Sequence, residues 1–221
     1  MDDDCSSNTQ NNIINGYSPE IIALSCSSNN CFFTLGFINN EKLLSLNLYK
    51  RTITTSLLGS SSNINLLHSY RINNVGSENL SCQLMEYNSN NVLTCFYQND
   101  ISKEIVASSF NIDISNQKIS IIESLTNSEQ TNGAKVIKSG ISQDRTQSYV
   151  CYITDEKNCN CLIYDISNNE WRNHKTYLND CIISLDSLNF EYYDMSNEFF
   201  LYCKQSEFKF SLVKLNQNFQ I

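Results

Sequence analysis

The side chains with the most chemistry to offer in this 221-residue chain are its ten cysteines. Cys26 and Cys31 flank a polar turn at 27–30, Cys82 and Cys95 bracket a turn near Asn88, and Cys151 and Cys161 bracket one at 154–158. A hairpin over each turn would set the two sulfurs roughly opposite one another, within the short Cβ separation that a disulfide needs. These six residues are therefore disulfide candidates. The alternative is reduced thiols packing as small apolar side chains. Ten cysteines in a chain of this size suit an oxidising compartment better than a reducing one. The expected location is extracellular, cell-surface or secretory-lumenal, with a cytoplasmic scaffold of reduced cysteines as the alternative.

Other chemistry is sparse. Zinc sites want Cys and His in paired short spacings, and Cys159-Asn160-Cys161 has no second close pair beside it. His68 and His174 each stand alone and neither lies in a nucleophile motif. Asp144, Asp155, Asp165, Glu191 and Asp194 offer carboxylates for a hydrolase, with Arg145 or Arg172 near in sequence. Any acidic β protein offers such pairs, so no catalytic residue is assigned. Asp2 to Asp4 lack the alternating spacing of a calcium loop, and six unclustered glycines provide no phosphate-cradling loop. No cofactor or metal is expected. Asn79-Leu80-Ser81 is the clearest glycosylation sequon, which makes Asn79 the glycosylation candidate. Trp171, the one tryptophan, reads as a packing residue with a binding-face role as the rival.

The formal charge is −8 and spread without a basic stripe, so nucleic acid is not an expected partner. No apolar run approaches the roughly 20 residues of a spanning helix. Residues 1–10 are acidic and polar where a secretory leader would be basic and then apolar. The expectation is that the chain is not secreted or that its authentic start lies upstream.

The elements that must position these groups read as strands throughout. Asn- and Ser-rich turns separate runs of five to eight residues rich in Ile, Leu, Val, Tyr and Phe, and no capping box opens a long run of helical period. Four aromatic stretches, 30–38, 92–99, 149–155 and 198–205, superpose on Cys31, Cys95, Cys151 and Cys203, which lie 64, 56 and 52 residues apart. An apolar strand and a polar turn precede each stretch, and another alternating strand follows it. Segments such as 53–58, 119–123 and 171–177 can supply a fourth strand per unit.

A repeated antiparallel meander of this period resembles the blades of β-propeller repeat proteins. The resemblance spans residues 20–221 and rests on period and pattern. The Gly-His and Trp-Asp of WD repeats and the paired Gly of kelch repeats are absent. Residues 142–146 are similar to an Asp-box hairpin but lack its turn Gly and closing Thr-Trp. The reading is a polar segment at 1–19 and one all-β domain at 20–221, with units at 20–58, 79–123, 135–177 and 181–221. The architecture expected is a propeller or part of one, with a β-sandwich as the rival. Such a scaffold implies a non-enzymatic binding module presenting turns to a protein or glycan partner, with a carboxylate-dependent hydrolase as the alternative.

Overall fold

Alternating apolar residues punctuated by Asn, Ser and Asp give sixteen strands, and the described residues hold no helix beyond one 3-10 turn at Glu123–Leu125. The computed structural model describes residues 16–56, 59–73, 75–131, 133–184, 186–193 and 198–216. The expected polar segment lies outside the described residues up to position 15, as do Asp194 and the rest of its turn.

The strands form four successive antiparallel sheets, none of them closed. The first contains β1 (Gly16–Cys26), β2 (Asn30–Asn39), β3 (Leu44–Ser56) and β4 (Gly59–Ile72). The second contains β5 (Val75–Tyr87), β6 (Asn90–Asn99), β7 (Glu104–Asp113) and β8 (Lys118–Ile121), with β9 (Asn127–Gln130) also paired to β7. The third contains β10 (Ala134–Ile141), β11 (Gln147–Thr154), β12 (Cys159–Asp165) and β13 (Glu170–Leu178). The fourth contains β14 (Leu188–Tyr193), β15 (Glu198–Ser206) and β16 (Lys209–Asn216). In each sheet the strands follow chain order, as tight turns between consecutive strands require. The fourth strand of the first sheet is β4 rather than 53–58. Residues 53–56 instead extend β3, which pairs with β4 along its whole length.

The turns repeat as well as the strands. Lys42, Lys103 and Lys157 close the connection between the second and third strands of three sheets, with φ of 58°, 59° and 64°. Each donates its backbone N–H to the residue opening the turn, Asn39, Asn99 or Thr154. In the first two the opening Asn carboxamide oxygen also accepts backbone N–H groups, from Glu41 and Leu43 or from Ile101 and Ser102. Such side-chain acceptors supply the tight turn with bonds that its carbonyls cannot make.

The cores lie between sheets. Ile38, Leu46 and Leu48 of the first sheet meet Leu80, Leu93 and Phe110 of the second. On the opposite face of the second sheet, Met85, Phe96 and Ile105 meet Val150, Tyr152 and Tyr164 of the third. The far face of the third brings Tyr149, Ile153 and Ile163 against Phe199, Leu201 and Leu215 of the fourth. Because strand side chains alternate between faces, the middle sheets must be apolar on both faces. β6 and β12 are accordingly buried along nearly their whole length.

The first strand of each sheet lies against the first strand of the next: β1 on β5, β5 on β10 and β10 on β14. Between β5 and β10 this seam is polar. Asn79 Nδ2 donates to the Lys135 carbonyl, the Ser81 and Ser139 hydroxyls meet at 2.7 Å, and Gln83 Nε2 donates to the Ser139 carbonyl at 2.9 Å. Arg145 donates from its guanidinium Nε to the Leu84 carbonyl at 2.9 Å, and Glu86 N–H donates to the Arg145 carbonyl at 2.9 Å. Side chains thereby supply backbone carbonyls along this partly buried seam with hydrogen-bond partners.

Candidate binding groove

Cys26 and Cys31, Cys82 and Cys95, and Cys151 and Cys161 face each other across hairpins with Cα atoms 4.1 Å apart, at disulfide distance. Cys181 and Cys203 form a fourth such pair at a Cα separation of 5.7 Å. No hairpin signals that pair, because Cys181 sits on the connection between the third and fourth sheets. The connection is seated by Cys181 N–H on the Lys157 carbonyl and Ile182 N–H on the Lys204 carbonyl.

The four aligned cysteines do lie on the second strand of each sheet, but they do not share a face. Cys95 belongs to the core between the first and second sheets, whereas Cys151 points to the fourth sheet and Cys203 points back to the third. Cys95 stands four residues before the turn-opening Asn99 and Cys151 three before Thr154. A one-residue offset reverses the face of a strand residue. Cys159 is buried and has no cysteine partner among the described residues, and burial raises its thiol to about 12. Among the described residues no three His, Cys, Asp or Glu side chains gather as a metal site.

The described acidic candidates are occupied by local partners. Asp144 accepts from the Ser142 hydroxyl and Thr146 N–H within its own turn. Burial raises its carboxyl, but those hydrogen bonds outweigh it and hold Asp144 below the usual carboxylate range. Asp165 pairs with Arg172 and accepts backbone N–H groups from Ser167 and Asn168. Asp155 lies at the other end of β11, about 25 Å along the strand, where Lys135 approaches within 3.5 Å. The Glu191 and His174 side chains lie outside the described residues. The two arginines sought beside a carboxylate pair are both engaged, Arg145 on the Leu84 carbonyl and Arg172 on Asp165.

Asn79 is buried, and the side-chain nitrogen to which a glycan would attach donates to Lys135 across the seam. Trp171 lies between the second and third sheets, its ring 5.9 Å from Phe96 and 5.0 Å from Tyr164. Its indole N–H is buried without a hydrogen-bond partner among the described residues.

A concave feature bordered by polar residues lies at the outer border of the first two sheets. Here β4, the last strand of the first sheet, lies over β8, the short fourth strand of the second. The outer position of the second sheet is divided between β8 and β9, so β8 covers only half of β7. A groove of about 720 Å³ opens there, lined by His68, Ser69, Tyr70, Arg71, Lys118, Ile119, Ser120 and Ile121. Tyr70 is one of these residues and stands edge-on to Phe110 at 5.7 Å. His68 Nδ1 accepts the Ile119 backbone N–H at 3.3 Å, which leaves Nε2–H as the donor of the neutral ring. Between the strands, His68 and Tyr70 face Ile119 and Ile121, while Ser69 and Arg71 of β4 and Lys118 and Ser120 of β8 alternate to the outer faces and reach the groove at its border. Among the described residues no carboxylate-bearing residue lines it. Sequence reasoning assigned His68 no role and missed the others, because positions 68–71 and 118–121 belong to different units.

No protein-family model matches the chain, and no curated protein matches it. Among solved structures, the crystal structure of a triple arginine-to-alanine mutant of AofleA from Arthrobotrys oligospora aligns at 10% identity with a TM-score of 0.47. The alignment covers 89% of this chain and 52% of that one, so the chain spans about half the length of this neighbour.

Proposed function

We propose that the chain is an extracellular or lumenal binding module of propeller type whose groove between β4 and β8 takes an acidic glycan bearing carboxylate or sulfate groups. The observation that carries this reading is the groove's border: His68 turns into it, Arg71 and Lys118 stand on the two strands that edge it, and no acidic residue lines it among the described residues, in a chain of net charge −8. A local cationic concavity on an acidic protein concentrates anions at one place rather than over the whole surface. At the border Arg71 offers a planar fork that matches a carboxylate or sulfate and Lys118 a mobile point charge, while Tyr70 and Ser120 carry hydroxyls for sugar hydroxyls. Four cysteine pairs at disulfide distance support the compartment. Four consecutive meanders stacked through their first strands support the propeller-type scaffold.

Binding to an array of neutral, uronate-bearing and sulfated oligosaccharides tests the proposal. The acidic sugars should be retained, with affinity falling as salt rises, and Arg71→Ala with Lys118→Ala should abolish retention while circular dichroism stays unchanged. Retention of neutral sugars alone, or of acidic peptides in place of acidic sugars, would overturn it.

A further inference from the structure

The two terminal sheets each leave one face free. In the first sheet, Ile22 and Leu24 of β1 pack towards the second sheet. The opposite face carries Ile21, Phe33, Tyr49, Ile64 and Leu66, which are cross-strand neighbours by register or share strand parity with them. Ile21 is 72% exposed and Leu66 52% exposed, while Phe33 and Tyr49 stack at 5.3 Å. In the fourth sheet, Phe199, Leu201 and Cys203 point to the third sheet. Its other face carries Phe200, Tyr202, Phe210 and Leu212, with Phe210 57% and Leu212 66% exposed. Among the described residues nothing covers either face. Contiguous exposed apolar and aromatic residues on a sheet face mark an interaction site.

The chain itself shows what covers such a face. Three times in succession the forward face of one sheet receives the backward face of the next, with first strand against first strand. These contacts use different side chains each time, so the step depends on the shape and apolar character of two twisted sheets rather than on one sequence. The forward face of the fourth sheet is the next member of that series, and the backward face of the first sheet is the counterpart it lacks.

We infer that the fourth sheet of one molecule stacks on the first sheet of a second copy, setting β14 against β1 of the copy and continuing the internal interface between chains. Such a contact is heterologous, joining two different patches. It generates a ring where the rotation between sheets closes and a longer array where it does not.

Sedimentation of the intact, oxidised chain over a range of micromolar concentrations tests the inference, with Leu212→Lys and Leu66→Lys as probes. Both sites are solvent-exposed, so each variant should keep the wild-type circular dichroism spectrum. The wild type is expected to sediment as a dimer or larger species, and each variant alone as a species with fewer copies. An equimolar mixture of the two variants should form a dimer, because one molecule still offers an intact first-sheet face and the other an intact fourth-sheet face. A monomeric wild type would overturn the inference. So would association lost in Leu212→Lys but untouched in Leu66→Lys, which would mean that two fourth sheets meet face to face.

Discussion

The second and third sheets are packed on both faces, while the first and fourth are packed on one, and the same repeated meander serves both situations. In β6 seven consecutive residues from Val92 to Gln98 are buried, whereas in β15 buried and partly exposed residues alternate. The strands are of similar length and stand in the same place in their sheets. What differs is the company each face keeps. A continuous apolar run in this chain therefore marks a sheet with two neighbours, and alternation marks a sheet with one. The apolar residues on the free faces of the terminal sheets follow neither pattern cleanly, which is what set them apart as surfaces awaiting a partner.

Several substitutions would break or sharpen that contrast. The largest effect is expected at Phe96, fully buried between the middle sheets against Tyr164 and Trp171. Phe96→Ala should cost about 3–5 kcal/mol in denaturant unfolding. Phe210→Ala on the free face of the fourth sheet should stay within about 0.5 kcal/mol for the separated monomer. Equal losses at the two positions would erase the distinction.

Cross-links come next. Replacing Cys151 and Cys161 together by serine should lower stability by about 2–4 kcal/mol, since the pair is buried in the core of the third and fourth sheets. The Cys26–Cys31 pair closes a loop of only five residues at an exposed edge of the first sheet, and its removal should cost less. Thiol labelling of the denatured, unreduced chain, with peptide mapping to set Cys5 apart, should modify Cys159 and leave the eight cysteines of the four pairs unmodified.

The third sheet should also set the alkaline limit of the fold. Burial raises the Cys159 thiol from 9.0 to about 12, and the Tyr164 phenol from 10.0 to about 12, while Tyr152 moves upward as well. The neutral form of each group is favoured when folded, so stability is unaffected below about pH 9. It should then fall as the unfolded chain ionises and the folded one does not, and keep falling towards about pH 12. Urea midpoints measured against pH should show this slope, and Cys159→Ala should delay its onset. Phenolate absorbance from Tyr164 should appear only as the chain unfolds.

The smallest effect is expected where the Lys turns repeat. Lys103→Asn keeps a residue that tolerates φ of 59° and removes only the exposed pair with Asp100. A midpoint shift beyond about 0.5 kcal/mol would show that this pair matters more than exposed pairs usually do.

Much of the architecture was legible in the residues because its determinants are local. Strand alternation, Asn- and Ser-rich turns and the hairpins joining Cys26 to Cys31, Cys82 to Cys95 and Cys151 to Cys161 all lie within about twenty residues of chain. The Lys turns are equally local, with an acidic residue one to three positions before Lys42, Lys103 and Lys157 after the second strand.

The sequence by itself determined an all-β chain of repeated meanders and three of its cysteine pairs. Only the tertiary structure decided which face each cysteine takes, because a single residue of offset before the turn moves a side chain to the other side of the sheet. It also decided that Arg145 anchors a seam, that Cys181 reaches Cys203, and that Arg71 and Lys118 border one groove. Those contacts join residues from different elements, and in the seam and the groove from different sheets. They depend on how one sheet's twist seats it on the next, a quantity that no local pattern of side chains carries.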